Sequence, residues 1–174
     1  VAGTYTCKVT DANGCSLTQT ITLTSPSALN ATYSQVNVLI NGQSTGSITI
    51  NASGGTAPYT YLLNGNPQPT NQFTNLPAGT YTVLVKDANN CIWTTTVVIT
   101  QPAPLAIALS QSGQIACFGG NSVTLNTVVT GGIAPYYYQW KKDGSIIPNA
   151  ITTSLLNVAA GNYEVIVTDN VGAI

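Results

Sequence analysis

Residues Ala78-Gly-Thr-Tyr-Thr-Val-Leu-Val-Lys-Asp87 decide the reading of this chain, because the pattern occurs three times. It returns as Ala2-Gly-Thr-Tyr-Thr-Cys-Lys-Val-Thr-Asp11 and as Ala160-Gly-Asn-Tyr-Glu-Val-Ile-Val-Thr-Asp169. A second motif, Gly54-Gly-Thr-Ala-Pro-Tyr59, recurs in the same order as Gly131-Gly-Ile-Ala-Pro-Tyr136. The step from Ala2 to Ala78 is 76 residues and the step from Ala78 to Ala160 is 82. A solenoid coil repeats every 20–45 residues or so, whereas a period near 80 suits a small complete domain. Residues 1–28 are therefore read as the C-terminal part of repeat one, its strands F and G. Residues 29–104 make a complete repeat two, and 105–174 a repeat three lacking its last strand.

Within each repeat the alternation has period two. Tyr81, Val83 and Val85 alternate with Thr82, Leu84 and Lys86, and Ile48 and Ile50 alternate with Thr49 and Asn51. Such a pattern sends one face into a core and the other to water, which is the mark of a half-buried strand. No helical periodicity appears, and the punctuation is Gly, Pro and Asn. Between strands stand Asp11-Ala-Asn-Gly14, Asp87-Ala-Asn-Asn90 and Asp169-Asn-Val-Gly172. Each predicts a tight hairpin turn whose Asp bonds the backbone that follows and whose Asn or Gly takes positive φ. Asp11, Asp87 and Asp169 thus receive structural roles.

The strands are those of an immunoglobulin-like sandwich. Leu76-Pro-Ala-Gly-Thr-Tyr81 has the form of a tyrosine corner, in which a Tyr at the start of strand F bonds back to the preceding connection. Tyr5 and Tyr163 hold the same place. Trp140 falls where the buried strand-C Trp belongs, and Trp93 takes the inward register of strand G, so both are read as core aromatics. The usual B-to-F disulfide is absent, since its places hold Ile50 and Val83 in repeat two and Thr127 and Val165 in repeat three. The expected fold is all-β: tandem immunoglobulin-like antiparallel β-sandwich domains arranged end to end.

Composition narrows the function. Charged residues are 5% of the chain and the net charge is −1, which rules out a basic nucleic-acid footprint. With 44% hydrophobic residues there is ample apolar surface to offset ordering entropy. No apolar run is long enough for a transmembrane helix, so membrane insertion is not expected. The chain opens on Val1 and contains no Met, so we expect both ends to be cuts through something longer. There is no His and no Arg, which removes triads, imidazole bases and histidine-bound metals. No two of the acids Asp11, Asp87, Asp143, Glu164 and Asp169 are sequence neighbours, and no calcium-type acidic run exists. The expectation is no enzyme, no metal and no cofactor.

Gly54-Gly-Thr-Ala-Pro-Tyr-Thr-Tyr61, Leu76-Pro-Ala-Gly-Thr-Tyr81, Asp11-Ala-Asn-Gly-Cys15 and Ile99-Thr-Gln-Pro102 resemble the SprB repeat. Ala116-Cys-Phe-Gly-Gly-Asn121 is similar to the early Cys-Asn-Gly-Gly motif of that repeat. The resemblance covers essentially the whole chain. It implies a very large extracellular surface adhesin of gliding bacteria, exported by the type IX system and moved along the cell surface. Repeat two departs from the pattern with Ile40 at the early Cys position, and repeat three with Ala173 at the late one.

Cys15, Cys91 and Cys117 are candidates for disulfides to repeats outside the chain. If strand A spans the sandwich, an A–B turn cysteine and an F–G turn cysteine of one repeat lie roughly 25 Å apart for strands of about 8 residues. A disulfide needs Cα atoms within about 7 Å. The A–B cysteine of one repeat is therefore expected to bond the F–G cysteine of the next. Ile40 and Ala173 are the two members of one such pair, replaced together. Cys7, at the inward strand-F position, is read either as a buried free thiol or as bonded to a strand B outside the chain.

Other features have plain readings. Tyr136, Tyr138 and Trp140 share one strand face, read as core, which leaves Tyr137 outward. Asn30-Ala-Thr32 and Asn51-Ala-Ser53 match a glycosylation sequon in a chain rich in both residue types. Two functions follow. One is a repetitive stalk or filament segment that spaces and transmits force to an adhesive region, its proline-bearing linkers Thr24-Ser-Pro-Ser-Ala28 and Thr100-Gln-Pro-Ala-Pro104 forcing extended backbone. The other is a glycan- or surface-binding module. Neighbouring repeats, surface glycans and laterally associated filament chains are the expected partners, at an extracellular address.

Overall fold

The computed structural model describes residues 1–174 and is all-β, with fifteen strands and no helix. Strands β1 (Gly3–Thr10) and β2 (Ser16–Leu23) pair antiparallel as a two-stranded sheet, with Tyr5 opposite Ile21 and Cys7 opposite Gln19. Every residue of both strands is exposed, because no second sheet covers this hairpin. Cys7, expected inward by alternation, is consequently exposed. Alternation chooses a face, but burial needs an opposing sheet.

Residues 29–104 hold seven strands: β3 (Asn30–Val36), β4 (Gly46–Ser53), β5 (Thr60–Leu63), β6 (Asn66–Gln68), β7 (Gln72–Leu76), β8 (Gly79–Lys86) and β9 (Ile92–Ile99). They form a β3-β4-β7 sheet and a β6-β5-β8-β9 sheet, the strand order A-B-E and C′-C-F-G of an immunoglobulin-like sandwich. The apolar alternation of the sequence appears as burial: Ile48 and Ile50 on β4, Val83 and Val85 on β8, Val97 and Ile99 on β9. Ile50 and Val83, at the places of the missing disulfide, are fully buried. Trp93 lies on the buried face of β9 but is only half-buried, so its ring flanks the core rather than filling it.

Residues 105–174 repeat the plan with β10 (Ala106–Ser112), β11 (Val123–Thr130), β12 (Tyr137–Lys142), β13 (Ser145–Ile146), β14 (Ser154–Val158) and β15 (Tyr163–Thr168). The sheets are β10-β11-β14 and β13-β12-β15, so a strand corresponding to β9 is lacking here. Trp140 has no solvent exposure, and its indole Nε1 donates to the Thr152 carbonyl at 2.9 Å. Val123, Val158 and Val167 are buried as well. Thr127 occupies a disulfide place with its hydroxyl bonded to the Thr153 carbonyl, so a polar side chain is tolerated there.

The chain divides into two compact units that do not follow the repeats. One comprises Val1–Tyr33, Ile50–Asn71 and Thr82–Thr96; the other comprises Ser34–Thr49, Gln72–Tyr81 and Val97–Ile174. The boundaries cut through β3, β4, β8 and β9. Each unit contains one inter-repeat linker together with the loops that meet it.

Candidate functional site

The motifs that recur in the sequence meet around these linkers. In the first unit, Asp87 closes the turn between β8 and β9. Its Oδ1 accepts the backbone N–H of Asn89 at 2.9 Å and of Cys91 at 2.8 Å. Its Oδ2 reaches across to the N–H of Thr56 at 3.0 Å, and Ala88 donates to the Thr56 carbonyl at 2.8 Å. The aspartate thus ties the F–G turn to the loop between β4 and β5. That loop in turn holds the linker, since Gly55 donates its N–H to the Ser27 carbonyl at 2.8 Å. Tyr59 caps the loop by donating its hydroxyl to the Gly54 carbonyl at 2.6 Å.

The second unit repeats the arrangement bond for bond. Asp169 Oδ1 accepts from Val171 at 3.0 Å and Ala173 at 2.8 Å, and Oδ2 from Ile133 at 2.9 Å. Gly132 donates to the Ala103 carbonyl at 2.9 Å, and the Tyr136 hydroxyl donates to the Gly131 carbonyl at 2.6 Å. Tyr136 is therefore half-buried and bound to the loop; it does not share the core with Trp140. Tyr138 is half-buried and Tyr137 points outward.

The two glycines of the motif are needed for close approach. Gly54 and Gly55 take φ of 68° and 59°, and Gly131 and Gly132 take 70° and 59°. A Cβ on Gly54 would overlap the Ala28 carbonyl oxygen, and one on Gly131 would overlap that of Pro104. At Gly55 it would stand 2.7 Å from Asp87 Oδ2. Positive φ and linker backbone pressed against the glycine leave room for no other residue. This role of Gly54, Gly55, Gly131 and Gly132 went unread in the sequence. Its only trace there is the fixed recurrence of the motif.

Burial alone would push the Asp87 carboxyl up, but the N–H donors of Thr56, Cys91 and Asn89 outweigh it and hold the group below the usual carboxylate range. Asp169 is lowered in the same way, burial being overcome by the donors of Ile133, Ala173 and Val171. Both are buried charges held chiefly by backbone donors. Asp11, in the β1–β2 turn, accepts from Asn13 and Cys15 but is exposed.

The tyrosine corners are present as bonds. Tyr81 donates to the Pro77 carbonyl at 2.8 Å, Tyr163 to that of Ala159 at 2.9 Å, and Tyr5 to that of Val1 at 2.7 Å. The remaining acids have local partners: Glu164 pairs with Lys141 at 3.3 Å, and Asp143 accepts the N–H of Asn162 at 2.9 Å. Cys15, Cys91 and Cys117 are exposed and unpaired, as is Cys7.

Fold and joints together define a tandem immunoglobulin-like repeat region. The SprB repeat family matches residues 32–68 and again 110–146. A decoration protein of Escherichia phage T5 is 36% identical over a 72-residue alignment that covers 38% of this chain. The match spans 44% of that relative, less than half of its length. Among solved structures, extracellular domains 3–5 of Drosophila OTK align with 98% of this chain and 67% of theirs, at 18% identity and a TM-score of 0.35.

Proposed function

We propose that this region is a non-catalytic stalk or filament segment of a bacterial cell-surface adhesin, which spaces and transmits force to an adhesive region, as in gliding motility. The observation that carries the reading is the duplicated joint. The same aspartate, glycine pair and tyrosine hold the linker at Ser27 and again at Ala103 through backbone hydrogen bonds. A region whose recurring residues are devoted to gripping its own linkers suits a load-bearing role better than a catalytic one. No buried side-chain N or O atom lacks a hydrogen-bond partner. A relative named as a decoration protein is in keeping with a displayed module. On this reading the segment works outside the cell after type IX export, and its partners are neighbouring repeats and laterally associated chains.

The alternative is a glycan- or surface-binding module, and the exposed rings of Tyr137 and Phe118 are what favour it. The two separate in one pair of measurements on the full chain. A stalk unfolds under force in discrete steps and stays silent on a glycan array. Saturable glycan binding that is lost in Tyr137→Ala or Phe118→Ala would replace the stalk with the binder.

A further inference from the structure

At the joint between repeats two and three, Ile40 and Ala173 stand at turn positions where other repeats of the chain carry cysteine. Ile40 and Cys117 occupy the same place in two copies of one turn. The Ile40 carbonyl accepts the N–H of Gln43 at 3.1 Å, and the Cys117 carbonyl accepts that of Gly120 at 3.0 Å. The intervening glycines, Gly42 and Gly119, take φ of 78° and 79°. Ala173, Cys91 and Cys15 likewise share one place: the carbonyl of each accepts the backbone N–H of its turn aspartate, and each donates its own N–H to the Oδ1 of that residue at 2.8 Å. The A–B turn of repeat two and the F–G turn of repeat three meet within the second unit. Leu39, Ile40, Gln43, Thr45 and Val171 line one apolar cleft of about 260 Å³ there. The A–B turn of repeat three lies elsewhere, where Cys117 lines a cleft with Ala159 and Ala160 from the connection into β15.

We infer that a cysteine in the A–B turn of one SprB repeat forms a disulfide with the cysteine after the F–G aspartate turn of the following repeat. Cys117 offers the first kind of thiol, Cys91 and Cys15 the second, and Ile40 with Ala173 is a pair in which both members have been replaced by apolar residues. Two thiols give up two protons and two electrons to form the S–S bond. The electrons pass to a disulfide oxidant by thiol–disulfide exchange, in vitro oxidised glutathione, which leaves as two reduced molecules. On this inference Cys91 pairs back to the A–B turn of repeat one and Cys117 forward to the F–G turn of a following repeat, neither of which residues 1–174 contain, so both remain thiols in this chain. The inference is independent of whether the region is a stalk or a binder, because the test reads bonding alone.

The test restores the missing pair in the full chain as Ile40→Cys with Ala173→Cys, beside each single variant. The double variant should fold when reduced, because the sister repeats carry cysteine at both turns. After treatment with oxidised glutathione the joined 40 and 173 peptides should weigh about 2 Da less than the sum of the two reduced peptides, for two hydrogens lost. Peptide mapping should find positions 40 and 173 joined, and the melting midpoint should rise on oxidation and return with reductant. The single variants should keep their added thiol free of any bond within the chain. Three results would each overturn the inference: a native Cys91–Cys117 link, a folded double variant whose added thiols do not join each other, or a reduced double variant that does not fold. A 40–171 link in Ile40→Cys with Val171→Cys, where 40–173 fails, also counts against it, since the turns would then meet without the cysteine positions being partners.

Discussion

The linker joint of the first unit and that of the second share a backbone and differ in their side chains. Both use an aspartate with three N–H donors, two glycines of positive φ and a tyrosine hydroxyl on the first glycine. In the first joint the exposed positions are polar: Asn89 donates its side-chain amide to the Thr56 hydroxyl at 2.8 Å, and Cys91 follows. In the second the equivalents are Val171, Ile133 and Ala173, and Val171 shares an apolar cleft with Leu39 and Ile40. What must stay constant is the geometry that seats the linker. What varies, and varies together, is the chemistry offered to the adjoining turn.

If the glycine pair is the invariant part, it should be the most sensitive. Gly54→Ala and Gly131→Ala each combine left-handed φ with overlap onto a linker carbonyl. Each is expected to destabilise the chain by about 3 kcal/mol, at the upper end of what backbone strain costs. Gly42→Ala provides the reference, because its φ is 78° but nothing lies within 4 Å of the added methyl. It should cost about 1 kcal/mol, the strain alone. Denaturant melts of the three variants separate close approach from φ, and equal losses would remove the linker from the explanation.

The aspartates come next and should behave alike in both joints. Asp87→Ala and Asp169→Ala each leave three backbone N–H groups without their partner and should lower the melting midpoint by more than loss of a tyrosine corner does. The pH dependence has a definite sign. Both carboxyls are held below their ordinary value in the folded chain, so they bind protons more weakly there than in the unfolded chain. Their contribution is complete above about pH 4, the ordinary aspartate range, and is lost as pH falls through the lowered folded value. Melting midpoints of the wild type should therefore drop below pH 4, with a shallower drop in either variant. Parallel profiles would mean that these turns do not carry the acid sensitivity.

Much of this fold is legible in the residues, because repetition and alternation are local signals. Tyr81, Val83 and Val85 declare strand F, and Asp87 declares its turn, without knowledge of any other segment. The joint is not legible in that way. Gly55 and Ser27 are 28 positions apart and meet through backbone atoms, which leave no side-chain pattern to read. Depth is equally hidden. Alternation places Cys7 and Trp93 on inward faces, yet Cys7 is exposed and Trp93 half-buried, because burial depends on what lies opposite.

The tyrosine corners test the same point at smaller scale. Tyr81 and Tyr5 make nearly equal bonds, at 2.8 and 2.7 Å, but Tyr81 is 9% exposed and Tyr5 47%. Tyr81→Phe should cost about 1 kcal/mol, the net worth of one buried hydrogen bond, and Tyr163→Phe about as much. Tyr5→Phe should change little, since water replaces the lost partner. An unchanged midpoint in Tyr81→Phe would remove the corner from the stability of repeat two.

The smallest expected effect bears most directly on the difference between the joints. If the apolar tip of the second joint packs against the A–B turn, Ile40 and Val171 must be energetically coupled. Ile40→Ala and Val171→Ala each remove part of the cleft lining and should cost about 1 kcal/mol, because both residues are only half-buried. The double variant should cost less than the two together by about 0.5 kcal/mol, the low end for residues in contact. In the first joint, Asn89→Ala loses one exposed side-chain bond and should cost no more than about 0.5 kcal/mol. Denaturant melts of the four chains of the cycle, read at one temperature, give the coupling term. Strict additivity would mean that the two turns border one cleft without packing across it, and the contrast between polar and apolar joints would then be one of surface composition only.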